Sequence, residues 1–137
     1  MPVSAESGAK RALATVTLVV ADYDEAIAWY TEKLGFALAS DIDLGGGKRW
    51  VTVSAGEGGS HLLLAKAEGS SQTGAIGNQT GGRVAFFLET DDFARDHAAM
   101  LAKGVVFKEQ PRHEAYGTVA VFADLHGNLW DLIEPKR

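Results

Sequence analysis

The sequence predicts an α+β fold made of two copies of a βαβββ module. Three observations carry that prediction. Short β-branched and aromatic runs recur, as strands require. Two stretches with helical spacing each start after acidic residues and end at a glycine. The segments VTLVVADYDEAIAWYTEKLGF and VAFFLETDDFARDHAAMLAKGV match in order, in the acidic cap and in the closing glycine. They lie roughly 70 residues apart, too long a period for a solenoid and suited to a duplicated module.

Ala14 to Val20 reads ATVTLVV, a β-branched run typical of a buried strand. Asp22 and Asp24 follow, and either can cap a helix. In DEAIAWYTEKLGF, the residues Ile27, Trp29, Tyr30 and Leu34 share a broad helical face, and Gly35 stands where a left-handed stop is expected. Three strands follow, around Phe36 to Ile42, Arg49 to Ser54 and His61 to Lys66, with turns at GGG 45–47 and GEGG 56–59. A second cycle opens with RVAFFL from Arg83 to Leu88, then TDD at 90–92 as a cap, then FARDHAAMLAKG as a helix ending at Gly104. Strands near Val105 to Lys108, Gly117 to Phe122 and Leu129 to Ile133 complete it.

The whole chain, 1–137, therefore reads as one domain, with modules at about 12–66 and 82–135. The segment between, about 67–81, is rich in Gly, Ser, Gln and Thr. It reads as a linker or as a mobile flap, because so long a loop in a compact domain is often functional. Residues 1 to 11 read as a loose tail.

Composition narrows the function classes. The 137 residues are 46% hydrophobic and 23% charged, ordinary for a globular protein that buries a core. A net charge of -5 gives no general attraction to nucleic acid or anionic membrane. No stretch approaches the roughly 20 apolar residues of a membrane span, and the start lacks a signal-peptide core. With no cysteine there is no disulfide framework, thiolate metal site or cysteine nucleophile. A cytoplasmic protein is the expectation.

Three local features resemble the vicinal oxygen chelate superfamily, which includes glyoxalase I, extradiol dioxygenases and bleomycin-resistance proteins. They are WYTEKLGF at the end of the first helix, GGRVAFFLETDD opening the second module, and VAVFADLHGNLWDLIEP at the close. The resemblance covers about Ala14 to Pro135. It implies two curved mixed sheets around a shared cavity, and pairing of the chain into a homodimer. It also implies four inward-facing ligand positions in the metal-dependent members. Here those positions fall on Thr15, Leu63, Arg83 and Asp131.

That set suits a metal poorly. A catalytic divalent ion needs about three protein ligands and an open position. Asp131 is the one competent ligand, and Arg83 would set a permanent cation beside the ion. His61 lies two residues before Leu63 and so shares its face, which makes His61 and Asp131 the residual metal candidates. The expectation is no metal and no other cofactor. His126 reads as an exposed turn residue, His97 as a flanking helix residue and His113 as a loop residue.

Other residues offer binding or chemistry. Strand alternation puts Arg83, Phe87 and Glu89 on one face, and Asp131 is expected to look into the same cavity. Arg83 and Asp131 read either as a buried ion pair or as a fixed cation with an orienting carboxylate, able to do electrostatically what a metal does elsewhere. His61 is a candidate general base, because its pKa lies near neutrality. Thus His61, Arg83 and Asp131 are the candidate catalytic residues. The candidate ligand contacts are Trp50, His61, Gln79, Arg83, Phe87, Glu89, Tyr116 and Asp131. The function expected is metal-independent binding of a small aromatic or amphipathic molecule. The alternatives are a lyase, isomerase or dioxygenase with a relocated metal site, and a structural module without a ligand.

Overall fold

A computed structural model describes residues 10–137, so most of the tail expected over 1–11 lies outside the described residues. The first module runs β1 (Thr15–Val20), α1 (Tyr23–Glu32), β2 (Ala37–Gly45), β3 (Lys48–Ser54) and β4 (His61–Lys66). A short helix α2 (Gly69–Ala75) follows. The second module runs β5 (Val84–Glu89), α3 (Phe93–Ala102), β6 (Val106–Phe107), β7 (Arg112–Glu114), β8 (Gly117–Ala123) and β9 (Leu129–Pro135). The strands form two mixed sheets, ordered β1-β4-β3-β2 and β5-β9-β8-β6, with β7 paired to β8. In both, the first strand of the module lies parallel to the last. The α+β fold of two repeated modules is therefore as the sequence predicts.

The local signals act as their chemistry demands. Asp22 caps α1 by accepting the Glu25 N–H at 2.9 Å, and Asp92 caps α3 by accepting that of Arg95 at 3.0 Å. Both helices are followed by a left-handed glycine, Gly35 at φ 72° and Gly104 at φ 87°.

Two elements were not foreseen. Helix α2 lies inside the expected linker and buries none of its residues. It carries no apolar stripe, the signal by which a helix is read from sequence. Its start is held locally, where Gln72 accepts the N–H of Glu68 at 2.8 Å. Strand β7 lies in the expected loop and is a three-residue edge pairing with β8, too short to show alternation.

One core serves both modules. Leu18, Val51 and Leu64 of the first sheet join Ala120, Phe122 and Leu132 of the second in a single buried cluster. Tyr30 and Phe36 each pack against Trp130 with ring centroids 5.9 Å apart. Such aromatic pairs add about 0.5–1.5 kcal/mol beyond their area. Among the described residues, no helix is long and apolar enough to cross a membrane.

Candidate functional site

Strand alternation divides each sheet into a core face and an open face. Neighbouring residues in a ladder point the same way. In the first sheet Thr15 pairs with His61, and Leu63 pairs with both Thr17 and Thr52. All lie opposite the buried Leu18, Val53 and Leu64. Trp50 shares this open face, paired with Ile42, and the two side chains are 41% and 54% exposed.

In the second sheet Asp131 pairs with Phe87 on one side and Val121 on the other, opposite the buried Trp130 and Leu132. Glu89 joins them, paired with Ile133. Phe87 is 64% exposed, which is unusual for a large apolar side chain at mid-strand.

Among the described residues, two buried side-chain polar atoms lack a hydrogen-bond partner: Thr52 Oγ1 and Asp131 Oδ1. One lies on the open face of each sheet. Burial of unpaired polar atoms is costly, so each such atom calls for an explanation. Burial pushes the Asp131 carboxyl above its ordinary range; nearby Arg112 opposes this and Glu109 adds to it.

The cation whose charge acts on Asp131 is Arg112, not Arg83, although neither forms an ion pair with it. Arg83 lies one residue before β5, is exposed, and forms no ion pair with Asp131. The expected pair fails because β5 starts only at Val84 and carries an irregularity between Val84 and Phe86. The Arg83 carbonyl accepts the Thr80 hydroxyl at 2.6 Å, and the residue is exposed. Arg112 is held by Glu109 at 3.0 Å and by Glu114. Glu109 also accepts the N–H of Val121, the ladder neighbour of Asp131, at 2.9 Å. Hydrogen bonds to Tyr116, Glu114 and Glu109 push the Arg112 pKa upward, so its charge is permanent. Nothing in the sequence pointed to Arg112, because β7 read as a loop. Thr52 had a faint signal, a lone hydroxyl between Val51 and Val53.

The other candidates are placed as follows. His61 is half-buried on the open face of the first sheet. Gln79 is committed to the backbone of β1: its amide oxygen accepts the Val19 N–H at 2.9 Å and its amide nitrogen donates to the Thr17 carbonyl at 2.8 Å. Tyr116 is exposed between β7 and β8. His126 is not a free turn residue, since its Nε2 accepts the Ala21 N–H at 3.2 Å. His97 is wedged between Phe93 and Phe107, and His113 is exposed on β7.

The residues present do not fit a divalent cation. Thr15 and Leu63 supply no strong donor, and Arg83 would bring a permanent cation. Among the described residues no group of three His, Asp or Glu is placed to hold a metal ion. A groove of about 960 Å³ opens between the modules, lined by Leu34, Phe36, Phe86, Met100 and Trp130. It touches His61 and Phe87 but neither Thr52 nor Asp131.

Comparison with known proteins agrees with this fold. A protein of Shewanella frigidimarina (strain NCIMB 400) is 51% identical over 127 residues, covering 91% of this chain and 94% of its own. The crystal structure of UcmS2 matches with TM-score 0.79 at 29% identity, covering 91% of this chain and 98% of that one. TnmS3, an antibiotic binding protein from Streptomyces sp. CB03234, matches with TM-score 0.76 at 26% identity, covering 93% and 98%. The family profile of the glyoxalase/bleomycin resistance protein/dioxygenase superfamily matches residues 12–132, and the chain belongs to that superfamily.

Proposed function

We propose that this protein binds a small aromatic or amphipathic molecule on its open sheet faces, without a metal. The observation that carries the reading is the exposure of Trp50 and Phe87 at the middle of faces that also hold unpaired polar atoms. Ligand sites are mostly apolar with a few placed polar groups, and these faces have that make-up. The antibiotic binding of the similar TnmS3 supports it. Two chains paired as a homodimer, in the cytoplasm, are part of the same reading. Pairing would cover the open edges of the two sheets.

Titration with a panel of planar aromatic compounds, followed by tryptophan fluorescence, tests the binding. Saturable binding that survives chelator treatment is expected, with loss in Trp50→Ala and Phe87→Ala. Turnover that depends on added divalent metal, or about one metal ion per chain lost in Asp131→Ala, would overturn it. Sedimentation at tens of micromolar checks the dimer (an order-of-magnitude range, well above a tight dissociation constant).

A further inference from the structure

The groove between the modules is reached by neither Trp50 nor Asp131. Its volume of about 960 Å³ lies within the usual range of small-molecule sites, which often form where two units meet. A stripe of α3 forms one wall: Asp96, Ala99, Met100 and Lys103, at helical spacing, all line it. From Asp96 to Lys103 that wall rises roughly 10 Å, at about 1.5 Å per residue. Val16, Leu34, Phe86 and Leu88 also line the groove, packed on the core yet only half-buried.

The two ends of the wall differ in charge. Lys33 Nζ donates to the Lys103 carbonyl at 2.9 Å, which brings two lysines together at the C-terminal end of α3. That bond uses one of the three donors of the Lys33 ammonium and leaves two. Among the described residues neither lysine forms an ion pair. At the other end Arg95 meets Asp91 and Asp96, 3.0 Å from each, so these charges are answered within the chain. Glu57, in the turn between β3 and β4, and Glu89, at the end of β5, are the remaining carboxylates of the lining. An apolar floor that ends at two unanswered cations matches a ligand with an apolar chain and one anionic head.

We propose that the groove is a second binding site, for a medium-chain alkyl carboxylate. Lys33 and Lys103 hold its head, and its chain lies along α3 over Leu34, Phe86 and Leu88. Met100, flexible and polarisable, gives the middle of the wall a surface that moulds to such a chain. The site is distinct from the open sheet faces, and either can exist without the other.

The test compares octanoate, octanol and octylamine on the intact chain, by calorimetry and by the methyl resonances of isotope-labelled methionine. The chain has two methionines, Met1 and Met100, so the groove carries its own reporter, which Met100→Leu assigns. Octanoate should bind saturably, shift the Met100 methyl and exceed octanol in affinity at least about tenfold, as a charge-assisted hydrogen bond implies. Octylamine should bind most weakly. Lys103→Glu, at an exposed position, should erase the preference for octanoate over octanol. Lys33→Gln, which keeps a donor for the Lys103 carbonyl, should weaken octanoate about tenfold. Ala99→Phe, also exposed, should fill the groove and abolish octanoate binding at an unchanged melting temperature. Equal affinity for the three probes, or an octanoate preference that survives both lysine changes, overturns the proposal. So does octanoate binding that leaves the Met100 methyl unmoved or persists in Ala99→Phe, and so does the absence of saturable octanoate binding.

Discussion

The Tyr30 hydroxyl donates a 2.5 Å hydrogen bond to Asp124 Oδ2, 94 residues away, and so fastens the helix of the first module to the last turn of the second. Asp124 is buried and accepts five further bonds from the second module. They come from the backbone N–H groups of His126 and Asn128 at 3.1 and 2.9 Å, from Asn128 Nδ2 at 3.2 and 3.1 Å to the two oxygens, and from Trp130 Nε1 at 3.3 Å. One carboxylate thus shapes the closing turn and docks the modules.

Removing the hydroxyl isolates the docking part. Tyr30→Phe keeps the ring packed on Phe36 and Trp130 and deletes one donor to the carboxylate. A hydrogen bond to a charged group is worth about 1.5–3 kcal/mol, so stability should fall by that amount. Urea denaturation with an unchanged m-value is the check. In a double-mutant cycle with Asp124→Asn, the two changes should be clearly non-additive.

High pH should act through the same bond. The Tyr30 pKa lies well above its ordinary value, first because of burial, then because of the Asp124 charge and hydrogen bond. A group whose folded pKa is raised contributes stability that is intact below the unfolded value, about 10 for tyrosine. That contribution is lost as pH rises past it toward the folded value. Alkaline titration by ultraviolet absorbance, with Tyr30→Phe as the difference reference, should show Tyr30 ionising only as the chain unfolds. A Tyr30 signal that titrates at an ordinary tyrosine pKa in folded protein would contradict this.

Gln79 makes a local prediction. Its amide stands in for a neighbouring strand on the free edge of β1, bonding both Val19 N–H and Thr17 C=O. Two neutral hydrogen bonds at about 0.5–1.5 kcal/mol each give an expected loss of about 1–3 kcal/mol in Gln79→Ala. Hydrogen exchange should quicken at the Val19 amide in particular, and proteolysis should rise in the segment 67–83. Unchanged exchange at Val19 would show that the latch is not formed in solution.

Asp131 predicts the opposite sign for stability. Its folded pKa is raised chiefly by burial, so its contribution is best below the unfolded carboxyl value and declines as pH rises through the folded one. Asp131→Asn should therefore hold or raise the melting temperature at neutral pH, and the gain should vanish in acid. Thermal melts across pH 3 to 8, spanning the ordinary carboxyl range, measure it.

The sequence by itself determined the order of the strands and helices other than α2 and β7, the duplicated module and the family. Those rest on local chemistry: β-branched runs, the acidic caps Asp22 and Asp92, and the stops at Gly35 and Gly104, which act within one turn of chain. It also put Phe87 and Asp131 on one face of the second sheet, because alternation fixes a residue's face once its strand is known. Tertiary structure alone decided which charges meet. Arg83 lies just before β5 and is exposed, and the short edge pairing of β7 sets Arg112, whose charge acts on Asp131, on the second sheet. It also committed Gln79 to β1 and Asp124 to Tyr30, contacts across 60 and 94 residues. No spacing rule reaches so far, since such pairs form only when two modules dock around a common core.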